Sequence, residues 1–280
     1  MEIRHATHPD EIVGMSDDEL RARFVISDLF TPGQLKVVYS HEDRMVLGGV
    51  SPVPGATLPL ENYADLRAEY FCQRRELAVT GLSGSGVVVV DGTRYPIGHM
   101  DVLYIGRGAR DISFEAEVTG TRFFLSSAVS HSDHPTTLVA AADALTTETG
   151  EQQHANRRIV RKHIHEDGVS SSQLVLGITA PEPGNVWNSM PPHTHDRRTE
   201  VYVYFDLDEN ERLFHFMGLP GQTRHVVLRD GDAVISPAWS MHFGAGTANY
   251  SFLWVMAGEN QSFADMDQIS VPELAGVAGH

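Results

Sequence analysis

The sequence predicts an all-β protein with a few short helices, built as two antiparallel barrels of the jelly-roll type. Three observations predict it. From about residue 35 onward, runs of β-branched and aromatic residues recur between glycine-containing turns. Helix signals are confined to short stretches. The two halves also repeat one another: Tyr70-Phe71-Cys72-Gln73-Arg74-Arg75-Glu76-Leu77 lies over His193-Thr194-His195-Asp196-Arg197-Arg198-Thr199-Glu200, with one residue missing before the glutamate. Likewise Asp101-Val102-Leu103-Tyr104-Ile105-Gly106 lies over Asp232-Ala233-Val234-Ile235-Ser236-Pro237. Strand-rich segments without alternating helices close into sandwiches or barrels, and a duplicated set gives two.

Along the chain, Ser16 followed three residues on by Glu19 is a capping box, so a helix is expected over Asp17 to Phe24. Leu35 to Tyr39 and Arg44 to Val50 read as strands, and Tyr63 to Ala68 as a short helix. Val87 to Tyr95 reads as a hairpin turning at Asp91-Gly92. Asp101 to Ile105 is a buried strand. Small and polar residues between His131 and Gln153 read as a linker with a helical turn at 140–145. A second β-rich half runs from Arg158 to Met256, including Gln173 to Gly177 and His225 to Leu228, and an acidic tail beyond Gln261 is expected to wrap the surface. The division is an N-terminal half at 1–135, a linker at 136–153 and a C-terminal half at 154–280.

A chain of 280 residues can bury a large core, and 41% apolar with 21% charged residues is ordinary for a soluble globule. A net charge of −16 argues against nucleic acid as a partner. The first residues lack an apolar signal region and nothing approaches a membrane span, so the cytoplasm is expected. A lone cysteine, Cys72, excludes an intrachain disulfide. Lysine is confined to Lys36 and Lys162 while arginine is plentiful, which reads as a GC-rich genome.

The chemistry concentrates in His193-Thr194-His195 and Glu200, with Gly231-Asp232 to Pro237 and then His242. Two histidines two apart on a strand point to one face. A bend at Asp196-Arg197-Arg198 starts a second strand, which places Glu200, Tyr202 and Tyr204 on one face. His242 follows a buried strand that Pro237 ends. Three imidazoles and a carboxylate converging in one cavity are a metal-ligand set. An upstream glycine (Gly184), then H-x-H, then x4-E, followed by G-D-x4-P-x4-H, resembles the two-part signature of the cupin superfamily. That resemblance implies a bicupin: two double-stranded β-helix barrels. In the overlay, Tyr70 matches His193, Cys72 matches His195 and Asp111 matches His242. This is a poor metal set, so the chemistry is expected in the second half.

A more specific resemblance lies in Val38-Tyr39-Ser40-His41-Glu42-Asp43-Arg44, Arg74-Arg75-Glu76-Leu77, Asn156-Arg157-Arg158, Trp187-Asn188-Ser189-Met190-Pro191, the H-T-H-x-R-R-x-E-V-Y run, and Gly258-Glu259-Asn260-Gln261. With these the chain resembles the 5-keto-4-deoxyuronate isomerase family over residues 35 to 267. It departs at Asp196, where the family carries glutamate, a position that is no expected ligand. The resemblance implies one Zn²⁺ per subunit on His193, His195, Glu200 and His242, a homohexamer, and a uronate substrate isomerised through a metal-stabilised enediolate. A separate base must move the proton; Lys162, Tyr202, His225 and Glu259 are candidates, each also explicable as structural. The substrate carboxylate calls for an arginine fork, with Arg158, Arg161 and Arg198 the candidates beside the alternative of an interface or solvated face.

His215, on a strand, reads as a satisfied or edge histidine, and Trp187, Trp239 and Trp254 read as packing rather than sugar-stacking platforms. His163-Ile164-His165 lacks a following glutamate, and Cys72 reads as buried and inert. A metal-dependent cupin dioxygenase or decarboxylase stays open on ligands alone. A sugar-sensing cupin would need a DNA-binding helix pair that the sequence does not display. A storage module would have lost the ligands.

Overall fold

The computed structural model describes residues 1–275. It contains four β-sheets, and the chain divides into two compact units. The first comprises residues 1–4, 28–145 and 162–176; the second comprises 5–27, 146–161 and 177–280. The units therefore interleave along the chain, where the sequence suggested division at residues 135 and 153. The expected linker carries strands, Thr137–Val139 and Leu145–Thr149. Its threonines are β-branched and suit an exposed sheet edge.

In the first unit, a seven-stranded sheet runs in the order Glu2–Arg4, Gln34–Ser40, Val46–Ser51, Arg122–Val129, Arg75–Ser83, Val102–Ile105, Thr137–Val139. A four-stranded sheet of Thr57–Pro59, Ile112–Ala116, Gly86–Val90 and Thr93–Ile97 completes it. The Asp91-Gly92 hairpin forms as expected, with both residues at positive φ, 48° and 82°, as a two-residue turn between right-twisted strands demands. The expected helix near Tyr63 is a single 3-10 turn, Ala64–Leu66.

In the second unit, the seven-stranded sheet orders Leu145–Thr149, Arg158–Ile164, Val175–Pro181, Ser251–Gly258, Arg198–Phe205, Ala233–Ser236 and Val25–Ile26. The facing sheet orders Gln222–Leu228, Leu213–Leu219, Met241–Gly246, Trp187–Thr194 and Asp267–Gln268. The last member of the seven-stranded sheet, Val25–Ile26, comes from near the chain's beginning. The helix Asp17–Phe24 starts at the expected Ser16–Glu19 capping box, buries Leu20 and Phe24, and leads into Val25–Ile26, which pairs with Ala233 and Val234. Gly177 lies where a Cβ would come within 2.2 Å of the Trp254 ring, so glycine is what lets that indole pack inside the sheet. Trp239 packs edge-on to Phe24 and Trp187 against Phe216 and Phe243, the packing roles expected of them.

The same ladder corrects the repeat. Leu77 pairs with Ile105 and Glu200 pairs with Ser236, and Ile105 and Ser236 are equivalent in the downstream overlay. Glu200 is therefore matched by Leu77, with no residue missing, and Arg198 by Arg75. Strand side chains alternate, so the slip of one sends Glu76 to the opposite face. There its carboxylate accepts from the Tyr104 hydroxyl (2.7 Å) and the backbone N–H groups of Ser172, Gln173 and Leu174 (2.6, 2.8 and 2.8 Å). The interior-facing Cys72, Leu77, Val79, Leu103 and Ile105 belong to one apolar core. Cys72 is fully buried, and burial pushes its thiol up to about 12, which keeps it unreactive.

Candidate metal centre

His193 ends the strand Trp187–Thr194, which is distorted between Asn188 and His193; Ser189 within the distortion has φ 48°. Such irregularities re-aim side chains at functional sites. From the neighbouring strand His242 sits directly opposite His193 in register. His195 lies in the turn that follows, closed by the Arg198 N–H donating to the His195 carbonyl (3.0 Å). Glu200 comes from the facing sheet. The two sheets of this barrel thus contribute the ligands jointly.

The Nε2 atoms of His195 and His242 lie 2.8 and 2.7 Å from one Glu200 oxygen, Oε2. His193 Nε2 is 3.1 Å from His242 Nε2 and 4.0 Å from the same oxygen. All four ligand atoms fall within 4.8 Å of one another. A tetrahedral ion with bonds of ~2.0–2.1 Å separates its ligand atoms by about 3.3 Å, so small side-chain adjustments seat one. Among the described residues this is the group of histidines and acids arranged to hold a metal.

The rings are held from behind. With Nε2 facing the cluster, the Nδ1–H of His242 donates to Ser236 Oγ (3.0 Å) and the Ser240 carbonyl (3.2 Å). The Nδ1–H of His195 donates to the Asp265 carbonyl (2.9 Å). Such partners fix the tautomer that presents a lone pair to the ion. Burial, reinforced by the neighbouring His242, holds His193 well below the ordinary histidine range, so it is neutral and ready to ligate at neutral pH. Burial opposes charge on Glu200, but the His242 charge and the hydrogen bonds from His195 and His242 outweigh it, and its carboxyl lies well below the usual range.

Tyr202, two residues after Glu200, shares its face. Its ring centroid is 5.3 Å from that of His242, and its hydroxyl is 2.9 Å from Ser189 Oγ. Burial first, and the Glu200 charge second, push the phenol well above its ordinary value, so it stays protonated. Sequence reasoning missed the polar layer beside it. His215, expected as a satisfied or edge histidine, is fully buried, lies 2.7 Å from the Tyr204 hydroxyl through Nδ1, and has its ring centroid 5.5 Å from that of Tyr202. Asn188 donates to the Tyr250 hydroxyl (2.6 Å). Asn188 Oδ1 and His215 Nε2 are buried without a hydrogen-bond partner among the described residues. The alternation of the strand Leu213–Leu219 was the available signal, since His215 shares parity with the buried Leu213 and Met217.

The other candidates separate. Arg158 is half-buried, donates to the Asn156 carbonyl (2.8 Å), and lies near enough to Tyr202 and Tyr250 to interact with them electrostatically. Burial lowers its pKa from the ordinary arginine value. Arg161 has a buried Nη1 without a partner among the described residues. Arg198 is fully buried: it donates to the carbonyls of Ser262 (2.5 Å) and Asp265 (2.7 Å) and reaches Asn260 Oδ1 (3.5 Å) and His195 Nδ1 (3.2 Å), so its fork faces the strap and the back of His195. Lys162 lies in the first unit, in a cavity wall with His134, His163 and His165. Glu259 and His225 are exposed, the latter on the outer face against Phe214 and Phe216.

Comparison with known proteins adds three findings. Residues 25–273 match the model of the KduI/IolB family. The chain is 47% identical over 279 residues to the 4-deoxy-L-threo-5-hexosulose-uronate ketol-isomerase of Kineococcus radiotolerans, covering 98% of this chain and 100% of that protein. It is 48% identical over 276 residues to the protein of the same description from Bacillus pumilus, with the same coverage. Among solved structures it resembles an IolB-like protein from Salmonella typhimurium (TM-score 0.66, 16% identity, 80% of this chain and 87% of that one). It also resembles the oxalate decarboxylase of Lactobacillus farciminis (TM-score 0.57, 13% identity, 81% and 79%). At those identities the structures speak for the jelly-roll fold alone.

Proposed function

The chain belongs to the KduI/IolB family, and from that premise we propose that it is an aldose–ketose isomerase. It interconverts 5-dehydro-4-deoxy-D-glucuronate and 3-deoxy-D-glycero-2,5-hexodiulosonate in pectin and uronate breakdown. The supporting observation is an end-to-end likeness to relatives described as uronate ketol-isomerases, in a chain whose four candidate ligands stand together. The decarboxylase alternative has only a fold likeness behind it.

The reaction moves a proton from the hydroxyl-bearing carbon to the adjacent aldehyde carbon, while the hydroxyl proton passes to the former aldehyde oxygen. Nothing is gained or lost, so no redox partner is required. The barrier is the negative charge that develops on two neighbouring oxygens. The nitrogen-rich ligand set with one carboxylate suits Zn²⁺, one per subunit, which when bound supplies Lewis-acid charge opposite those oxygens, worth several kcal/mol.

His193, His195, Glu200 and His242 hold the ion, and the Nδ1 bonds of His195 and His242 keep their rings aimed. Tyr202, kept neutral by burial, donates its proton towards a substrate oxygen and is reprotonated through Ser189. It acts as an acid here, not as a resting base. The substrate carboxylate lies at the opposite end of the carbon chain from the aldehyde. Arg158, a half-buried cation beside Tyr202 and Tyr250, is its anchor, with Arg161 the second choice. Asn188 Oδ1 and His215 Nε2 are available to the substrate hydroxyls between. The family resemblance also carries a homohexamer and a cytoplasmic location into this reading; sedimentation of the purified protein tests the first. Among the described residues no helix is long and apolar enough to cross a membrane.

The test is to follow the substrate's aldehyde proton by NMR with purified protein, with and without chelator. Conversion is expected to stop with chelator and resume on adding Zn²⁺. His242→Ala should retain the fold but lose bound metal and at least about a thousandfold in kcat/KM, the scale on which electrostatic stabilisation acts. Normal turnover by that variant would remove the site assignment.

A further inference from the structure

The segment after the last long strand, residues 259–269, returns across the back of the H-x-H turn and touches both of its histidines. Asp267 and Gln268 pair with Thr194 and His193 as an added edge strand, and the Ile269 N–H donates to the Pro192 carbonyl (2.9 Å). The Asp265 carbonyl accepts from His195 Nδ1–H (2.9 Å). That carbonyl also accepts from Arg198 Nη2 (2.7 Å). Arg197, next to Arg198, turns outward and grips the Asp265 carboxylate: Nε lies 2.9 and 3.0 Å from its two oxygens and Nη2 2.7 Å from Oδ1. Arg197 Nη2 also meets Asp267 at 2.7 Å, and Asn260 donates to Asp265 Oδ2 (2.7 Å).

We propose that this C-terminal strap is a positioning element of the metal centre, latched by the Arg197–Asp265 pair, and that the latch sets how long the ion is retained. It rests on the metal reading above. The geometry gives the reason. The carbonyl that orients His195 belongs to the residue whose side chain Arg197 holds, so one contact places both atoms. The adjacent arginines divide the work: Arg198 binds the strap's backbone from inside, and Arg197 binds its side chains from the surface. Neither Arg197 nor Asp265 touches the cluster's centre, so they act through His195.

The strap is anchored apart from its latch: Phe263 packs on Trp254, and Ile269 is buried with Met241 and Phe243. It leaves the fold after Gly258, beyond the last paired residue of its sheet, and the Arg197–Asp265 latch is partly exposed. Loosening it should free the rear of His195 while the two sheets stay intact. A merely structural role would lower thermal stability with metal retention unchanged; a positioning role does the reverse.

The experiment measures Zn²⁺ loss to an excess of a chromogenic chelator from the full-length holoprotein, together with the melting temperature of the metal-free protein. The visible spectrum of the Co²⁺-substituted form is recorded alongside. The proteins are wild type, Asp265→Ala, Asp265→Asn, Arg197→Ala and the double variant Arg197→Ala with Asp265→Ala. Asp265→Ala and Arg197→Ala should each release metal about 10- to 100-fold faster, the range for lost partners of ligating histidines. The two together should be no worse than either, Asp265→Asn should recover part of the loss, and the Co²⁺ bands should shift. The metal-free melting temperatures should stay close to wild type. Wild-type release rates and spectra in both alanine variants would overturn the strap proposal and leave the isomerase reading intact. Parallel falls in metal-free melting temperature without faster release would overturn it too. A wild-type protein that binds neither Zn²⁺ nor Co²⁺ would overturn both.

Discussion

Tyr202 and His215 show how burial decides what a side chain can do. The Tyr202 phenol is held neutral, which suits the donor role proposed for it. Tyr202→Phe keeps the ring's packing and removes the hydroxyl; kcat should fall about 100-fold with KM changing little and bound metal retained, as steady-state kinetics and metal analysis will show. His215 is depressed to about 3, chiefly by burial and further by His242, whereas an unfolded histidine titrates near 6.5. The unfolded chain therefore binds the extra proton first. The stability this group contributes is complete above pH 6.5 and is lost progressively as pH falls towards 3, by an amount on the order of a few kcal/mol. Urea unfolding of His215→Asn between pH 7 and 4 should show a flatter decline than wild type.

At the scale of elements, strand parity separates the two halves of the repeat. The equivalents of Glu200 and His195 are Leu77 and Cys72, packed in an apolar core, while Glu76 faces the other way and gathers three backbone N–H groups and a phenol. That carboxylate does for Ser172–Leu174 what a turn's own hydrogen bonds could not. Removing it strands buried donors, at about 1–3 kcal/mol each. Glu76→Ala should lower the stability of the first unit by about 3–5 kcal/mol in denaturant melts, while Zn²⁺ content at the second unit's cluster is unchanged. Equal stability would mean that water replaces the carboxylate.

For the molecule as a whole, the ligand cluster belongs to the second unit, which gathers its strand residues from 25–26, 146–161 and 177 to 268. Four ligands brought from distant parts of the chain would bind an ion in the folded state and poorly in the unfolded one, which would link metal and fold. Zn²⁺ at about a thousand times its dissociation constant should add roughly 4 kcal/mol, a calorimetric shift of several degrees in the transition of this unit. The shift should vanish in His193→Ala.

The sequence by itself determined the fold class, the capped first helix, the Asp91-Gly92 hairpin and the four candidate ligands. All of these depend on local rules: a cap needs a residue three away, a hairpin two residues of positive φ, an H-x-H pair one strand face. The tertiary structure alone decided which arginine fork is closed by distant carbonyls, that Leu77 stands where Glu200 stands, that the His215 ring meets Tyr204 and Tyr202, and that the strap at 259–269 backs the histidines. Arg158 and Arg198 carry the same side chain, and only their surroundings separate a half-buried fork from one closed by two carbonyls. Those assignments depend on partners 60 or more residues away, or on a parity that one misplaced residue inverts, and neither leaves a mark in a local window of sequence.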